Sequence, residues 1–197
     1  MGATVRVGVF GGTFDPPHLG HLVVASEVMD EARLQRLLWV PAATSPHKAD
    51  GRSSSAAIRE EMVRAAIQGD PRFGFSDVEL RRGGLSYTID TVRELKRDHP
   101  EWRLVLIMGS DQLDAFHEWK EPEAIAELVE VAAITRSGTA GRLADAVRNL
   151  AVSMIQVSRI DISSTGIRDR IARGKSVRHM VPDAVLSIIE REKLYRS

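Results

Sequence analysis

The most informative segment of the sequence is Gly11-Gly12-Thr13-Phe14-Asp15-Pro16-Pro17-His18-Leu19-Gly20-His21. It follows an apolar run at 5–10 that is typical of a buried β-strand, and it leads into a helical pattern over 19–32. Glycines at a strand end let the backbone approach an anion, and a helix N-terminus favours negative charge. Two imidazoles, His18 and His21, stand at this helix start on one side of it. The segment therefore predicts a polyphosphate site.

Beyond this segment, short β-branched runs alternate with longer helical periods. We expect strands at 5–10, 37–40, 73–80, 104–108, 131–135 and 153–157, and helices at 19–32, 59–68, 87–97, 143–149, 165–172 and 182–190. This alternation predicts βαβ units and a mainly parallel sheet with helices on both faces. The expected fold class is α/β, with a Rossmann-like, doubly wound sheet that binds ligands at the carboxyl ends of its strands.

Composition excludes several classes of protein. The 197 residues include 27 Lys+Arg and 27 Asp+Glu, and this zero net charge argues against a strongly basic nucleic-acid-binding protein. The absence of cysteine excludes disulfides, thiolate zinc sites, iron–sulfur clusters and a cysteine nucleophile. We expect one domain over 1–197, cytoplasmic, without a signal peptide or a membrane-spanning segment.

The first segment also permits interpretations other than phosphate binding. Its glycines could form no more than a turn, and Asp15 is expected to cap the following helix. A zinc site would need a third ligand, and the remaining candidate, His47, lies in a separate loop, so no metal site is expected. A redox dinucleotide site would need G-x-G-x-x-G and an acid ending the second strand, where this chain has Trp39-Val40-Pro41. Gly20 adds no side chain that would crowd a ligand.

A second candidate phosphate site is Ile162-Ser163-Ser164-Thr165-Gly166-Ile167-Arg168. Ser163 and Thr165 suit a helix N-cap, and capping alone is one interpretation of the segment. Arg168, however, falls in the first helical turn, where a cation opposes the helix dipole unless an anion is near. A triphosphate would supply that anion.

Both segments resemble signatures of one superfamily. The first resembles the nucleotidyltransferase signature of adenylyltransferases related to class I aminoacyl-tRNA synthetases, and the second resembles their C-terminal ATP-binding signature. The resemblance implies catalytic roles for His18, His21 and Arg168. It implies that ATP is bound by Gly11, Gly12, Thr13, Phe14, His18, Gly20, His21, Gly109, Asp111, Ser163, Ser164, Thr165 and Arg168.

Three further segments bear on the second substrate. Lys48 lies in a long loop after the second strand, where it could hold a phosphomonoester or be a solvated lysine. The segment 85–91 opens a helix and offers hydroxyl and N–H groups to a carboxylate, or serves only as a cap. Asp111 suits a ribose hydroxyl, Trp119 can stack on an aromatic ring, and Phe116 is expected to pack in the core.

Together these segments resemble the nicotinate-nucleotide adenylyltransferase family over essentially the whole chain. The resemblance implies in-line attack of the 5′-phosphate of nicotinate mononucleotide on the α-phosphate of ATP, giving deamido-NAD and pyrophosphate without a covalent enzyme intermediate. Mg²⁺ would be carried mainly by the ATP phosphates. The family resemblance also implies that the mononucleotide is bound by Lys48, Ser86, Tyr87, Thr88 and Trp119. One departure is Arg136-Ser137-Gly138, where the family commonly has Arg-Pro-Gly.

Other acceptors stay open at the level of sequence. Nicotinamide mononucleotide, or both mononucleotides, would fit if the N–H donors near Tyr87 and Thr88 do not face a carboxylate, and phosphopantetheine is a further alternative. A non-catalytic nucleotide-binding protein is disfavoured because His18, His21 and Arg168 are all present. The expected partners are ATP and nicotinate mononucleotide, with neither nucleic acid nor membrane; a homo-oligomer is left open.

Overall fold

The computed structural model describes residues 4–44, 53–135 and 150–196. Within these ranges, six parallel strands form one sheet in the order β3-β2-β1-β4-β5-β6. The strands are β1 (Val5–Gly12), β2 (Arg36–Pro41), β3 (Phe73–Phe75), β4 (Trp102–Gly109), β5 (Glu130–Thr135) and β6 (Val152–Gln156). The strand order changes direction between β1 and β4, which is where doubly wound sheets bind ligands. The α/β, Rossmann-like fold is confirmed.

Helices cover both faces of the sheet and bury two separate cores. Along β4, Leu104 and Leu106 belong to one core while Val105 and Ile107 belong to the other, because side chains alternate across a strand. The face with Val105 and Ile107 carries α1 (Leu19–Glu31), α2 (Ala56–Ile67), α7 (Ser164–Ala172) and α8 (Asp183–Arg191). The face with Leu104 and Leu106 carries α3 (Val78–Arg82), α4 (Thr88–Asp98), α5 (Ser110–Asp114) and α6 (Pro122–Leu128). In the described part of the chain, none of these helices has the length and apolarity needed to cross a bilayer.

The expected strand over 73–80 is wrong beyond its first residues. β3 ends at Phe75, and the chain then forms the short helix α3. Asp77 precedes this helix and bonds its side chain to Arg81 at 2.9 Å, and Gly83, with φ +68°, ends it. The alternating pattern at 76–80 therefore concealed the start of a helix at Asp77.

Two other differences concern short or undescribed segments. The sequence patterns did not predict α5 or α6, which have five and seven residues and are too short to display a helical period. Pro122, at the first turn of α6, is the local signal that marks its start. The helix expected at 143–149 lies outside the described residues.

The end of β1 is closed by Phe14. This side chain is 3% exposed, and its ring centroid lies 5.5 Å from that of Phe10 and 5.0 Å from that of Trp39. Phe14 adopts φ 50°, which a non-glycine residue rarely does. A Cβ atom at Gly12 would come within 2.9 Å of the Phe14 ring. Only glycine at position 12 therefore allows Phe14 to pack in this place.

Gly12→Ala should lower the free energy of unfolding by about 1–3 kcal/mol, because the added methyl group overpacks a buried ring. Gly11→Ala is the matched control, since a Cβ atom at Gly11 meets nothing within 4 Å. Equilibrium unfolding in urea measures both variants. A Gly12→Ala protein as stable as the Gly11→Ala protein would contradict this account of the turn.

Candidate active site

Two cavities open at the carboxyl edge of the sheet, one on each side of the end of β1. The first, about 520 Å³, is lined by residues that include His18, Gly20, His21, Gly109, Asp111, Ser163, Ser164 and Thr165. The second, about 400 Å³, is lined by residues that include Gly11, Gly12, Thr13, Ser86, Tyr87, Thr88 and Trp119. Gln112 lines both cavities. The structure thus separates the predicted residues into two neighbouring groups, with Gly11, Gly12 and Thr13 on the side predicted for the second substrate.

The two histidines of the first cavity stack on each other. His18 is the N-cap of α1 with extended backbone, rather than a helical residue, and its ring centroid lies 3.7 Å from that of His21. The His18 backbone N–H donates to Nδ1 of His21 at 3.2 Å. Because Nδ1 accepts this bond, a neutral His21 ring carries its proton on Nε2. His21 can therefore present an N–H donor through Nε2 to a ligand.

Three aromatic rings hold His21 in this orientation. The rings of Phe10, Phe14 and Trp39 meet the His21 ring edge-on, with centroid distances of 6.1, 5.2 and 6.3 Å. Phe14, predicted to bind ATP, is buried beside His21, where it supports the imidazole. Gly20 likewise serves the pair, because a Cβ atom there would come within 3.1 Å of the His18 ring.

The start of α7 faces the same cavity. Ser163 caps the helix, its Oγ accepting the N–H of Gly166 at 3.1 Å, so the predicted cap is confirmed. The Ser164 hydroxyl donates to the carbonyl of Pro16 at 2.8 Å. This bond joins the second predicted phosphate segment to the first. The unpaired N–H groups of a helix start thereby come next to the histidine pair.

Arg168, in α7, contacts both predicted phosphate segments. Its Nη1 donates to the carbonyl of Asp15 at 2.9 Å, and its Nη2 donates to Oγ1 of Thr165 at 3.3 Å. Thr165 therefore braces Arg168 instead of capping the helix. These contacts use two of the five N–H groups of the guanidinium. They hold the charge next to Thr165, which lines the first cavity, whereas Arg168 itself is not among the described residues that line either cavity.

The expectation that Asp15 caps a helix is wrong. Its Oδ2 accepts the backbone N–H of Ser54 at 3.1 Å, and its Oδ1 accepts the hydroxyl of Tyr195 at 2.5 Å. Asp15 is 2% exposed. Its carboxylate ties the first segment to two distant parts of the chain, a role that sequence spacing does not reveal.

The second cavity is built around the start of α4 and the residues after β4. Tyr87 is the N-cap of α4, and Ser86 accepts the Ala43 backbone N–H at 3.0 Å through Oγ. Trp119 is half-buried against Phe116, with ring centroids 5.2 Å apart, and Phe116 is 1% exposed, which confirms its predicted core position. The backbone N–H of Thr88 belongs to the first turn of α4, where such groups lack helical partners.

Three charged residues of the second cavity were missed: Glu79, Glu118 and Lys120. Lys120 places Nζ 4.7 Å from the centroid of the Tyr87 ring and 3.2 Å from Oδ2 of Asp90. Glu79 is buried, and its Oε1 accepts the Thr91 hydroxyl at 2.7 Å. Burial raises the pKa of Glu79, although bonds from Thr91 and Ser86 act in the opposite direction. Glu79 was missed because the sequence predicted a strand where α3 lies, and α3 is the helix that brings Glu79 to Thr91 of α4.

Several predicted features cannot be placed. Lys48, His47 and the segment Arg136-Ser137-Gly138 lie outside the described residues. Within the residues that are described, no group of three His, Cys, Asp or Glu side chains could hold a metal ion. The expected absence of a protein-held metal stays a prediction.

This chain is similar in sequence to one family of nucleotide-handling proteins and to curated bacterial relatives. The sequence model of the family described as cytidylyltransferase-like matches residues 9–170. Two bacterial proteins described as probable nicotinate-nucleotide adenylyltransferases are similar over nearly their full lengths. The protein of Shouchella clausii is 41% identical, covering 96% of each chain, and that of Exiguobacterium sibiricum is 39% identical, covering 97% of this chain and 99% of the relative.

Solved structures of the Plasmodium falciparum nicotinic acid mononucleotide adenylyltransferase share the fold. The complex with NaAD has a TM-score of 0.78 at 17% identity, and the complex with APC has a TM-score of 0.77 at 16% identity. Each alignment covers 97% of both chains.

The buried carboxyl of Glu79 should make stability depend on pH. Because its folded-state pKa is raised, the folded protein keeps a proton that the unfolded chain loses above the ordinary pKa of 4.5. The stability contributed by the protonated carboxyl is therefore lost as pH rises from 4.5 through the raised pKa of Glu79 in the folded protein. The amide of Glu79→Gln does not titrate. The free energy of unfolding of this variant, relative to that of the wild type, should therefore increase as pH rises above 4.5. Urea unfolding at several pH values measures the difference, and a difference constant with pH would refute the assignment.

Proposed function

We propose a reaction for this chain from one fact: it belongs to the nicotinate-nucleotide adenylyltransferase family of cytidylyltransferase-like proteins. The reaction is transfer of the adenylyl group of ATP to nicotinate mononucleotide, which gives deamido-NAD and pyrophosphate in NAD biosynthesis. The observation that carries it is the pair of cavities at the end of β1, which share Gln112. Two nucleotides bound there would bring their phosphates together. A cytoplasmic location is part of this proposal.

The first cavity suits ATP. A triphosphate accepts hydrogen bonds, and this cavity offers Nε2 of His21, the stacked His18 and the N–H groups at the start of α7. Arg168, held beside the cavity, adds a positive charge for the β- and γ-phosphates. Mg²⁺ would be carried mainly by the ATP phosphates and water, where it would neutralise phosphate charge.

The second cavity suits nicotinate mononucleotide. The Trp119 ring can stack on the pyridine, and the N–H groups at the start of α4, near Tyr87 and Thr88, can bind the carboxylate. The ammonium of Lys120, over the Tyr87 ring, is the cation of this cavity among the described residues that line it, and it would favour the acid over the amide to the extent that Asp90 leaves its charge uncompensated. Lys48, by family resemblance, would hold the 5′-phosphate.

These positions support a direct transfer. The 5′-phosphate oxygen of the mononucleotide attacks the α-phosphorus of ATP in line with the departing pyrophosphate, and no enzyme group becomes covalently attached. His18 and His21 stabilise the charge that develops on the α-phosphate and on pyrophosphate. Holding both substrates at one edge of the sheet supplies most of the remaining advantage by proximity.

Pyrophosphate release with ATP and Mg²⁺ tests the proposed function, with nicotinate mononucleotide and nicotinamide mononucleotide offered in parallel. We expect release that depends on the acid and is at least about tenfold slower with the amide, which corresponds to about 1.4 kcal/mol of discrimination. Equal rates would show a dual-specificity enzyme and remove the proposed roles of α4 and Lys120. No release with either acceptor would contradict the function.

His21→Ala should lower kcat by about 100-fold to 1,000-fold, the loss typical of removing one donor to transition-state charge. His99→Ala is the control. His99 follows α4 and stacks on Trp102, the first residue of β4, so it lies at the end of the strand opposite to the cavities. Steady-state pyrophosphate release measures kcat, and urea unfolding checks that both variants fold. A His21→Ala enzyme within threefold of the control would overturn the role of His21.

Trp119→Ala should raise KM for the mononucleotide by about tenfold, since stacking a base on an aromatic ring contributes about 1–3 kcal/mol. KM for ATP should change by less than about twofold because Trp119 lines only the second cavity among the two described here. Trp119→Phe keeps an aromatic face and should recover most of the loss. Equal increases in both KM values would count against stacking.

A further inference from the structure

Tyr195, near the C-terminal end of the chain, closes a hydrogen-bonded ring with Asp15 and Ser54. Its hydroxyl donates to Oδ1 of Asp15 at 2.5 Å across 180 residues of sequence. The Ser54 hydroxyl donates to the Tyr195 oxygen at 3.3 Å, and the Ser54 backbone N–H donates to Oδ2 of Asp15 at 3.1 Å. Three distant segments therefore meet at one buried carboxylate.

The Tyr195 side chain is held against a backbone preference. Tyr195 adopts φ 61°, a left-handed conformation that side chains rarely take and that surrounding contacts must maintain. Burial raises the pKa of its hydroxyl, which consequently stays protonated and keeps donating to Asp15. The positive φ and the contacts to Asp15 and Ser54 together fix the position of the Tyr195 side chain.

The same ring supports the two segments that carry the ATP site. The Asp15 carbonyl accepts Nη1 of Arg168, so the residue fixed by Tyr195 through its side chain fixes Arg168 through its backbone. Arg59, 2% exposed, completes the support: its guanidinium donates to the carbonyl oxygens of Thr13, Ala42, Ala43 and Ser54 at 2.6–3.2 Å. Arg59 thus holds the loop that precedes Asp15 and the chain on both sides of 45–52.

We propose that Tyr195 is a positioning residue for adenylyl transfer: by locking Asp15, it holds the Arg168 guanidinium beside Thr165, at the rim of the first cavity, before the nucleotide binds. Arginine has large rotamer freedom in solution, and holding it in advance lowers the entropic cost of forming the phosphate contacts. Tyr195 touches neither substrate in this account and acts only through Asp15. The inference rests on the proposed function for the identity of the ligand, and the ligand-binding test below does not require turnover.

Tyr195→Phe removes the hydroxyl and retains the ring. We expect it to weaken binding of a non-hydrolysable ATP analogue with Mg²⁺, measured by calorimetry, by about fivefold to tenfold. This is less than the direct loss of a hydrogen bond to a charged group, because Tyr195 acts on the ligand only through Asp15 and Arg168. In the enzyme assay the same variant should raise KM for ATP by a similar factor and leave KM for nicotinate mononucleotide within about twofold. Unchanged affinity for the ATP analogue would overturn the proposal.

A double-mutant cycle separates positioning from general stabilisation. If Tyr195 acts through Arg168, then Tyr195→Phe should have less than about a twofold effect on analogue binding once Arg168→Ala is present. If the hydroxyl only stabilises the fold, the loss should be the same in both backgrounds, and the proposal fails. Thermal unfolding of all four proteins confirms that each is folded at the temperature of the binding measurement.

Leu194→Ala is the matched control for loosening of the chain end. Leu194 packs against the same core but contributes no polar contact to Asp15. It should lower thermal stability and leave ATP-analogue affinity unchanged, and an equal loss of affinity in Leu194→Ala and Tyr195→Phe would count against a specific role of the hydroxyl. If the wild-type chain binds the ATP analogue but releases no pyrophosphate, the proposed function fails while the binding cycle still decides the role of Tyr195.

Discussion

The parallel pairing of β1 with β2 on one side and β4 on the other is the constraint on which this site depends. Because the strands are parallel, their carboxyl ends share one edge, and because strand order reverses here, α1 and α5 leave toward opposite faces. The gap between their starts becomes the two cavities. Gly11 to His21 occupies the middle of that gap, so residues from one short segment contact both sides.

The first cavity offers hydrogen-bond donors rather than lysine or arginine side chains to the proposed triphosphate. None of the described residues that line it is lysine or arginine, and its donors are imidazoles, hydroxyls and the N–H groups of a helix start. Arg168 contributes from behind, through contacts to Asp15 and Thr165. A protein with zero formal net charge can therefore suit a triphosphate, whose own Mg²⁺ would offset part of the charge.

The sequence predicted the fold class and the long helices of the described residues, because these depend on local periodicity. Local glycine and capping chemistry also marked the segments 11–21 and 162–168, whose binding of phosphate stays a prediction. The sequence did not predict α3, whose start at Asp77 lies within an alternating pattern, and so it missed Glu79. The bonds that join Asp15 to Tyr195 and Ser164 to Pro16 link residues 180 and 148 positions apart, and their partners are chosen by packing. The tautomer of His21 similarly depends on a backbone N–H whose direction appears only after folding.

In the proposed reaction, two nucleotides bound on either side of β1 react in a single direct displacement. Its most direct test is the stereochemistry at phosphorus, measured with one diastereomer of ATP that carries sulfur on the α-phosphate and with nicotinate mononucleotide as acceptor. Direct in-line transfer between the two cavities predicts inversion of configuration in the dinucleotide product. Retention would require two displacements through an enzyme-bound adenylate and would contradict the account.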